Sequence, residues 1–219
     1  RELTVAILFD SSASAAFGTV NRPKREVAAL VGATLSLAAV ANDDKVGLML
    51  FSNGIERYIQ PRKGTRHALH LIREMVAPPV DGSHTDLGLS FRIATQLLKQ
   101  RSIVFVISDF LVDPDSYFQQ LLRLNQRHDL VAIVVTDPLE AMWQNAGLVQ
   151  VTDAESGQPM WVDSGSRRWR RYFQQQAEAL REQLDQALRR ARVSHTVISA
   201  EQDYEQELIR FFRQRMGLR

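Results

Sequence analysis

The chain alternates short, densely apolar runs with longer segments in which apolar residues recur every three or four positions. Leu3 to Phe9 (LTVAILF), Val46 to Phe51 (VGLMLF), Ile103 to Ile107 (IVFVI) and Leu130 to Val135 (LVAIVV) are near-continuous apolar stretches, the pattern of strands covered on both faces. Helical patterns lie between them. The first is opened by Pro23 and runs for about 18 residues, proline being favoured in a first helical turn; others cover 64–76, 86–99 and 115–126. Ser52-Asn53-Gly54 is a hairpin signal, so Ile55 to Ile59 is expected as an edge strand antiparallel to the one before it. Residues 148–162 read as a small two-stranded excursion around a turn at Glu155-Ser156-Gly157. Residues 166–219 read as helix, strand, helix. Trp169, Phe173, Leu180, Leu184, Leu188 and Ala191 recur at three- and four-residue steps, Val197-Ile198 forms a last short strand, and 203–216 a last helix. Strands alternating with helices predict one α/β domain over residues 1–219. Its expected form is a Rossmann-like three-layer αβα sandwich around a mainly parallel sheet with one antiparallel edge strand.

Composition narrows the chemistry. The 219 residues include no cysteine, which excludes a disulfide scaffold, thiolate zinc, iron–sulfur clusters and a cysteine nucleophile. The uncharged stretch Val27 to Ala41 is broken by Gly32, Thr34 and Ser36 and is shorter than the ~20 apolar residues that span a bilayer, so it is expected as a buried helix. The net charge of +2 argues against a dedicated nucleic-acid binder, but it is unevenly spread. From Arg167 onward 12 Arg face 7 acidic residues, whereas the residues before carry 15 basic and 18 acidic side chains. The chain opens on Arg1-Glu2 without an initiator Met and reads as a piece of a longer protein. The expected location is cytoplasmic, with tethering by upstream segments left open.

In an open parallel sheet, ligands bind at the carboxyl ends of the strands. Here those ends read Asp10-Ser11-Ser12-Ala13-Ser14, Ser108-Asp109 and Thr136-Asp137, and the loop before the helix at 86 reads Asp81-Gly82-Ser83-His84-Thr85-Asp86. Carboxylates and hydroxyls would therefore converge on one edge, a donor set for a hard divalent cation: Mg²⁺ first, with Mn²⁺ or Ca²⁺ as alternatives. If the first loop stays extended, Asp10, Ser12 and Ser14 point the same way and can surround one ion. The competing reading is that Asp10 and Ser12 only cap the loop or the next helix.

DSSAS after LTVAILF, TD in GSHTDLG and SD in IVFVISDF resemble the three pieces of the metal-ion-dependent adhesion site of von Willebrand factor type A (vWA) domains. The order of strands and helices resembles that fold over essentially the whole chain. AFGT after the motif, DKVGLMLFS, PRKGTRH, RHDLVAIVVTDPLE and LIRFFRQR are similar to the bacterial MoxR-associated branch, whose shared domain has no known function. The resemblance implies Ser12 and Ser14 as direct metal ligands, Thr85 as direct or nearly so, and Asp10 and Asp109 acting mainly through waters. One coordination position then stays open for an Asp or Glu of a protein partner. It further implies a MoxR-type AAA+ ATPase as that partner and a chaperone-like role in protein maturation or assembly. Ala13 stands where glycine is common, and Ala15-Ala16 where methionine is frequent; neither change removes a donor atom.

Other features have plainer readings beside the functional ones. His84 neighbours Thr85 but is by default a solvated loop histidine, and Asp86 and Asp137 are possible accessory carboxylates, Asp137-Pro138 serving first to end a strand. Asp113 or Asp115 is better explained as a helix N-cap than as part of a two-metal site. Arg167, Arg168, Arg170 and Arg171 surround Trp169 at a helix start, where cations oppose the helix dipole; they form either an interaction surface or a solvated face. No Gly-rich phosphate loop or nucleophile elbow is present. No catalytic residue is therefore assigned, although a Mg²⁺-dependent hydrolase or phosphotransferase using Asp10 or Asp109, and nucleic-acid binding by the basic C-terminal third, remain as rivals.

Overall fold

In the computed structural model, six strands form one sheet in the order β3-β2-β1-β4-β5-β8. The structure describes residues 2–12, 23–78, 85–138, 148–152, 159–163 and 165–217. The strands of the sheet are β1 (Thr4–Asp10), β2 (Lys45–Phe51), β3 (Ile55–Arg62), β4 (Ile103–Ser108), β5 (Asp129–Thr136) and β8 (Ser194–Ser199). A separate hairpin joins β6 (Leu148–Thr152) to β7 (Pro159–Asp163). The helices are α1 (Lys24–Ala41), α2 (Thr65–Val76), α3 (Leu87–Leu97), α4 (Phe118–Arg127), α5 (Arg167–Arg190) and α6 (Tyr204–Arg215). All pairings in the large sheet are parallel except β2 with β3, the antiparallel edge expected from Ser52-Asn53-Gly54.

The continuous apolar runs have the cause expected of them. In β1, Val5, Ile7 and Phe9 face one core, which α1, α2 and α6 complete with Val31, Leu71, Met75, Leu208 and Phe211. Ala6 and Leu8 face the other, completed by α3, α4 and the end of α5 with Phe91, Leu121, Leu124, Leu184 and Leu188. The central strands must be apolar on both sides because helices cover both sides. The edge strand β8 is half-exposed along most of its length, so only Val197-Ile198 stood out in the sequence.

Two elements differ from expectation. The segment read as one helix over 115–126 is a 3-10 turn at Pro114–Ser116, then α4 from Phe118. Tyr117 interrupts it at φ −127° and ψ −2°, fully buried and edge-on to Phe91 with centroids 5.8 Å apart. The long α5 is amphipathic as expected, but its buried positions are Leu184, Ala187 and Leu188, all in its C-terminal part. Its 24 residues span about 36 Å at 1.5 Å per residue, against about 20 Å for the six-residue strand β8 that follows it. The N-terminal half of α5 therefore extends past the carboxyl ends of the strands. The turn expected at residues 155–157 lies outside the described residues.

Candidate functional site at the strand ends

The chain runs from β1 outward to β2 and β3, then returns to place β4, β5 and β8 on the other side of β1. The boundary between β1 and β4 is thus the topological switch point, where an open sheet leaves a crevice at its carboxyl edge. Phe9 pairs with Ile107, so Asp10 and Ser108 leave the sheet side by side. Strand order, not nearness in sequence, brings the first and fourth strand ends together here.

The carboxylates at the ends of β1 and β4, Asp10 and Asp109, are both buried. Asp10, 3% exposed, accepts the Ser12 amide at 3.0 Å on Oδ1 and the Ser108 hydroxyl at 2.6 Å on Oδ2. Burial pushes its pKa up, Asp109 adds to the rise, and the bonds from Ser108 and Ser12 only partly offset it. Asp109 accepts the Leu111 amide at 3.2 Å on Oδ1 and the Lys24 ammonium at 2.7 Å on Oδ2. The turn that aims Asp109 inward is strained. Phe110 has φ 53°, a left-handed conformation that disfavours bulky residues, and its amide is held by Ser108 Oγ at 3.0 Å.

The neighbouring segments close the site on the β2 side. The Ser11 amide donates to Phe51 O at 2.8 Å. Ser11 Oγ stands 2.9 Å from both Phe51 O and Glu56 Oε2, and the Ser52 hydroxyl donates to Glu56 Oε1. Ser12 is buried at 1% exposure. The Asp86 amide donates to Ser52 O at 2.7 Å, which draws Thr85, half-buried, to the same end of the sheet. The Asp86 carboxylate itself caps α3, accepting the Leu89 amide at 2.8 Å. Asp137 is fully buried at the end of β5. Asp113 caps the 3-10 turn through the Asp115 amide at 3.0 Å, the plainer of its two readings. Ser14 and His84 lie outside the described residues. Arg167, Arg168 and Arg171 are exposed in the first turns of α5, where Ser166 caps the helix through the Trp169 amide. They stand on the projecting half of that helix, beside a hollow of about 530 Å³ lined by Trp161, Trp169 and Tyr172 among others.

Three participants were missed from the sequence. Lys24 and Arg25 open α1, and both turn toward the carboxylates. Lys24 reaches Asp109, whereas Arg25 donates to Ser11 O at 3.5 Å and to Ala77 O. The charges of Glu56 and Asp10 counter part of the desolvation that lowers the Arg25 pKa. Glu56 is an exposed residue of edge strand β3, and nothing in the sequence singled it out. The available signal was the pair of cations in a helix first turn, which the helix dipole disfavours and which local structure therefore does not explain.

Among the described residues the donor set fits a hard divalent cation: the buried Asp10 and Asp109 carboxylates and the Ser12 and Thr85 hydroxyls, all oxygen donors. Among the described residues no group of three or more His, Cys, Asp or Glu side chains gathers as a metal site, and this candidate depends on hydroxyls for the remainder. Also among the described residues, no helix is long and apolar enough to cross a membrane.

Comparison with known proteins bears on the family and the fold. A family model described as a protein of unknown function, DUF58, matches residues 1–183. An uncharacterized protein of Mycobacterium tuberculosis is 28% identical over 159 residues, 72% of this chain and 50% of that protein, so the chain spans about half the length of that relative. The conserved hypothetical protein BatB of Bacteroides thetaiotaomicron superposes with a TM-score of 0.63 at 12% identity, over 98% of this chain and 99% of that one. A von Willebrand factor type A protein of Catenulispora acidiphila gives 0.51 at 13% identity, over 97% of this chain and 42% of the other. At these identities the likeness shows the fold, which is vWA-like.

Proposed function

The chain belongs to the DUF58 family of proteins of unknown function, and from that premise we propose that it is a divalent-cation-dependent protein-binding module. A vWA-like fold suits a protein-interaction role. The finer reading is supported above all by the two buried carboxylates, Asp10 and Asp109, that meet at the switch point beside the buried Ser12. In this reading Ser12, Ser14 and Thr85 hold the ion directly, and Asp10 and Asp109 hold it through waters. The ion, Mg²⁺ first, supplies one open position that an Asp or Glu of a partner fills, with strong charge attraction in a partly dry interface. The chain's own residues do the rest. Ser108 and the Ser12 amide fix Asp10, the Phe110 turn fixes Asp109, and Glu56 ties Ser11 and Ser52 together at the end of β1. The partner we propose is a MoxR-type AAA+ ATPase, in a cytoplasmic, chaperone-like role.

The test is a Mg²⁺ or Mn²⁺ titration after chelator treatment, followed by thermal unfolding. At about a hundredfold excess over Kd a site of this kind adds roughly 2.7 kcal/mol, or about 5–10 °C in Tm for a chain of this size. Asp10→Ala removes that rise; an unchanged rise in the variant sinks the assignment. Capture of the ATPase by the parent protein is expected to fail in chelator and in Asp10→Ala.

A further inference from the structure

The Lys24 ammonium already sits where a cation is wanted. Its side chain is 2% exposed, its Nζ lies 2.7 Å from Asp109 Oδ2, and the Asp109 side chain is 5% exposed. Lysine is rarely buried this fully unless paired. Local structure gives no reason for it to be here, since it opens α1 at the end of the helix that repels cations. Asp109 is also the carboxylate that the proposed site needs for its ion. A divalent ion held between Asp10 and Asp109 would bring two positive charges against the one that Lys24 carries, inside a crevice with little water to screen them.

We propose that Lys24 is a built-in competitor for the divalent cation: Asp109 is held by the ammonium in the metal-free protein and is released from it when the ion binds. This rests on the proposed cation site and adds what sets its affinity. Lys24 keeps the empty crevice neutral enough to stay folded, and it sets a threshold that the ion must exceed. Arg25 stays engaged with Ser11 O and Ala77 O, so α1 remains anchored while the Lys24 side chain changes partner. Binding of metal is then coupled to a rearrangement at the first turn of α1, whose Arg25 contacts Ser11 at the end of β1.

Two measurements test this. The first is isothermal titration of Mg²⁺ and Mn²⁺ into chelator-treated parent protein and Lys24→Met. The variant is expected to bind at least about tenfold tighter, through loss of a like-charge neighbour at short range, and to show a larger metal-induced rise in Tm from a lower metal-free starting point. The second needs no change at Lys24. The chain has four lysines, Lys24, Lys45, Lys63 and Lys99, and all but Lys24 are exposed. With those three replaced by arginine, the side-chain ammonium signal in a ¹H–¹⁵N spectrum belongs to Lys24, and Mg²⁺ saturation is expected to shift it or broaden it away by proton exchange. If the parent binds metal, Lys24→Met binds no tighter and the Lys24 signal stays put, the competitor idea is wrong and the cation site survives. If the variant binds and the parent does not, the ammonium fills the site outright, and both the release of Lys24 by metal and the cation-dependent function are wrong. If neither binds, both readings fall.

Discussion

Phe110 and His128 show how single residues here answer to neighbours far away in sequence. Phe110 accepts a left-handed backbone because its ring is buried against Tyr117, with centroids 6.3 Å apart, and its amide is held by Ser108 Oγ. The strain is located where Asp109 must be turned inward. His128 is buried at 3% exposure, accepts the Ser102 amide on Nδ1 at 3.3 Å, and has no hydrogen-bond partner for Nε2 among the described residues. Burial lowers its pKa, and Arg127 and Arg101 lower it further. The unfolded chain therefore takes up the proton first on acidification, so the contribution of His128 to stability is full above about pH 6.5 and declines as pH falls below that value. Tm is expected to drop between pH 7.5 and 5.5 with a shallower slope in His128→Asn, whose side-chain oxygen can still accept from Ser102; parallel slopes would refute it. Of the residues at the candidate site, Asp10, Ser12 and Asp109 were legible because each sits at the end of an apolar run. Lys24 was not, because its partner lies 85 positions away.

At the level of elements, the strands were legible and the exact extent of the helices less so. The pair β2–β3 shows a constraint that pattern alone does not carry. A Cβ on Gly47 would lie 2.8 Å from Pro61 Cγ and 2.9 Å from Ile59 O, at the register shift between Val46 and Leu48. Pro61 is tolerated because β3 is an edge strand, and glycine at 47 makes room for it. Gly47→Ala is expected to destabilise by about 1–3 kcal/mol, as overpacking does, read from chemical denaturation; a loss below about 0.5 kcal/mol, the usual range for neutral surface changes, would show that β3 shifts freely. The split of the expected 115–126 helix has the same origin. Nothing local breaks the helix at Tyr117; the ring is pulled into the core beside Phe91, and the backbone follows it.

For the whole molecule, the family match ends at residue 183, but the fold continues past it. Leu184 and Leu188 complete one core, and Ile198, Leu208 and Phe211 complete the other, while β8 covers the edge of β5 through pairs from Val131–Ser194 to Thr136–Ser199. A chain ending at residue 183 would leave β5 as an open apolar edge and is expected to lose cooperative unfolding and to aggregate; a soluble truncated protein with the parent Tm would contradict this. The sequence by itself determined the alternation of strands and helices, the antiparallel edge and the placing of Asp10 and Asp109 at strand ends, because burial on one or two faces and turn geometry are written in local periods and in the residues that stop them. The tertiary structure alone decided that α5 overshoots the sheet, that α4 starts late, and that a lysine from α1 is the charge facing Asp109. Those depend on which surfaces meet across the sheet, and the free energy of such contacts, above all that of a buried charge seeking a partner, carries no local period from which it could be read.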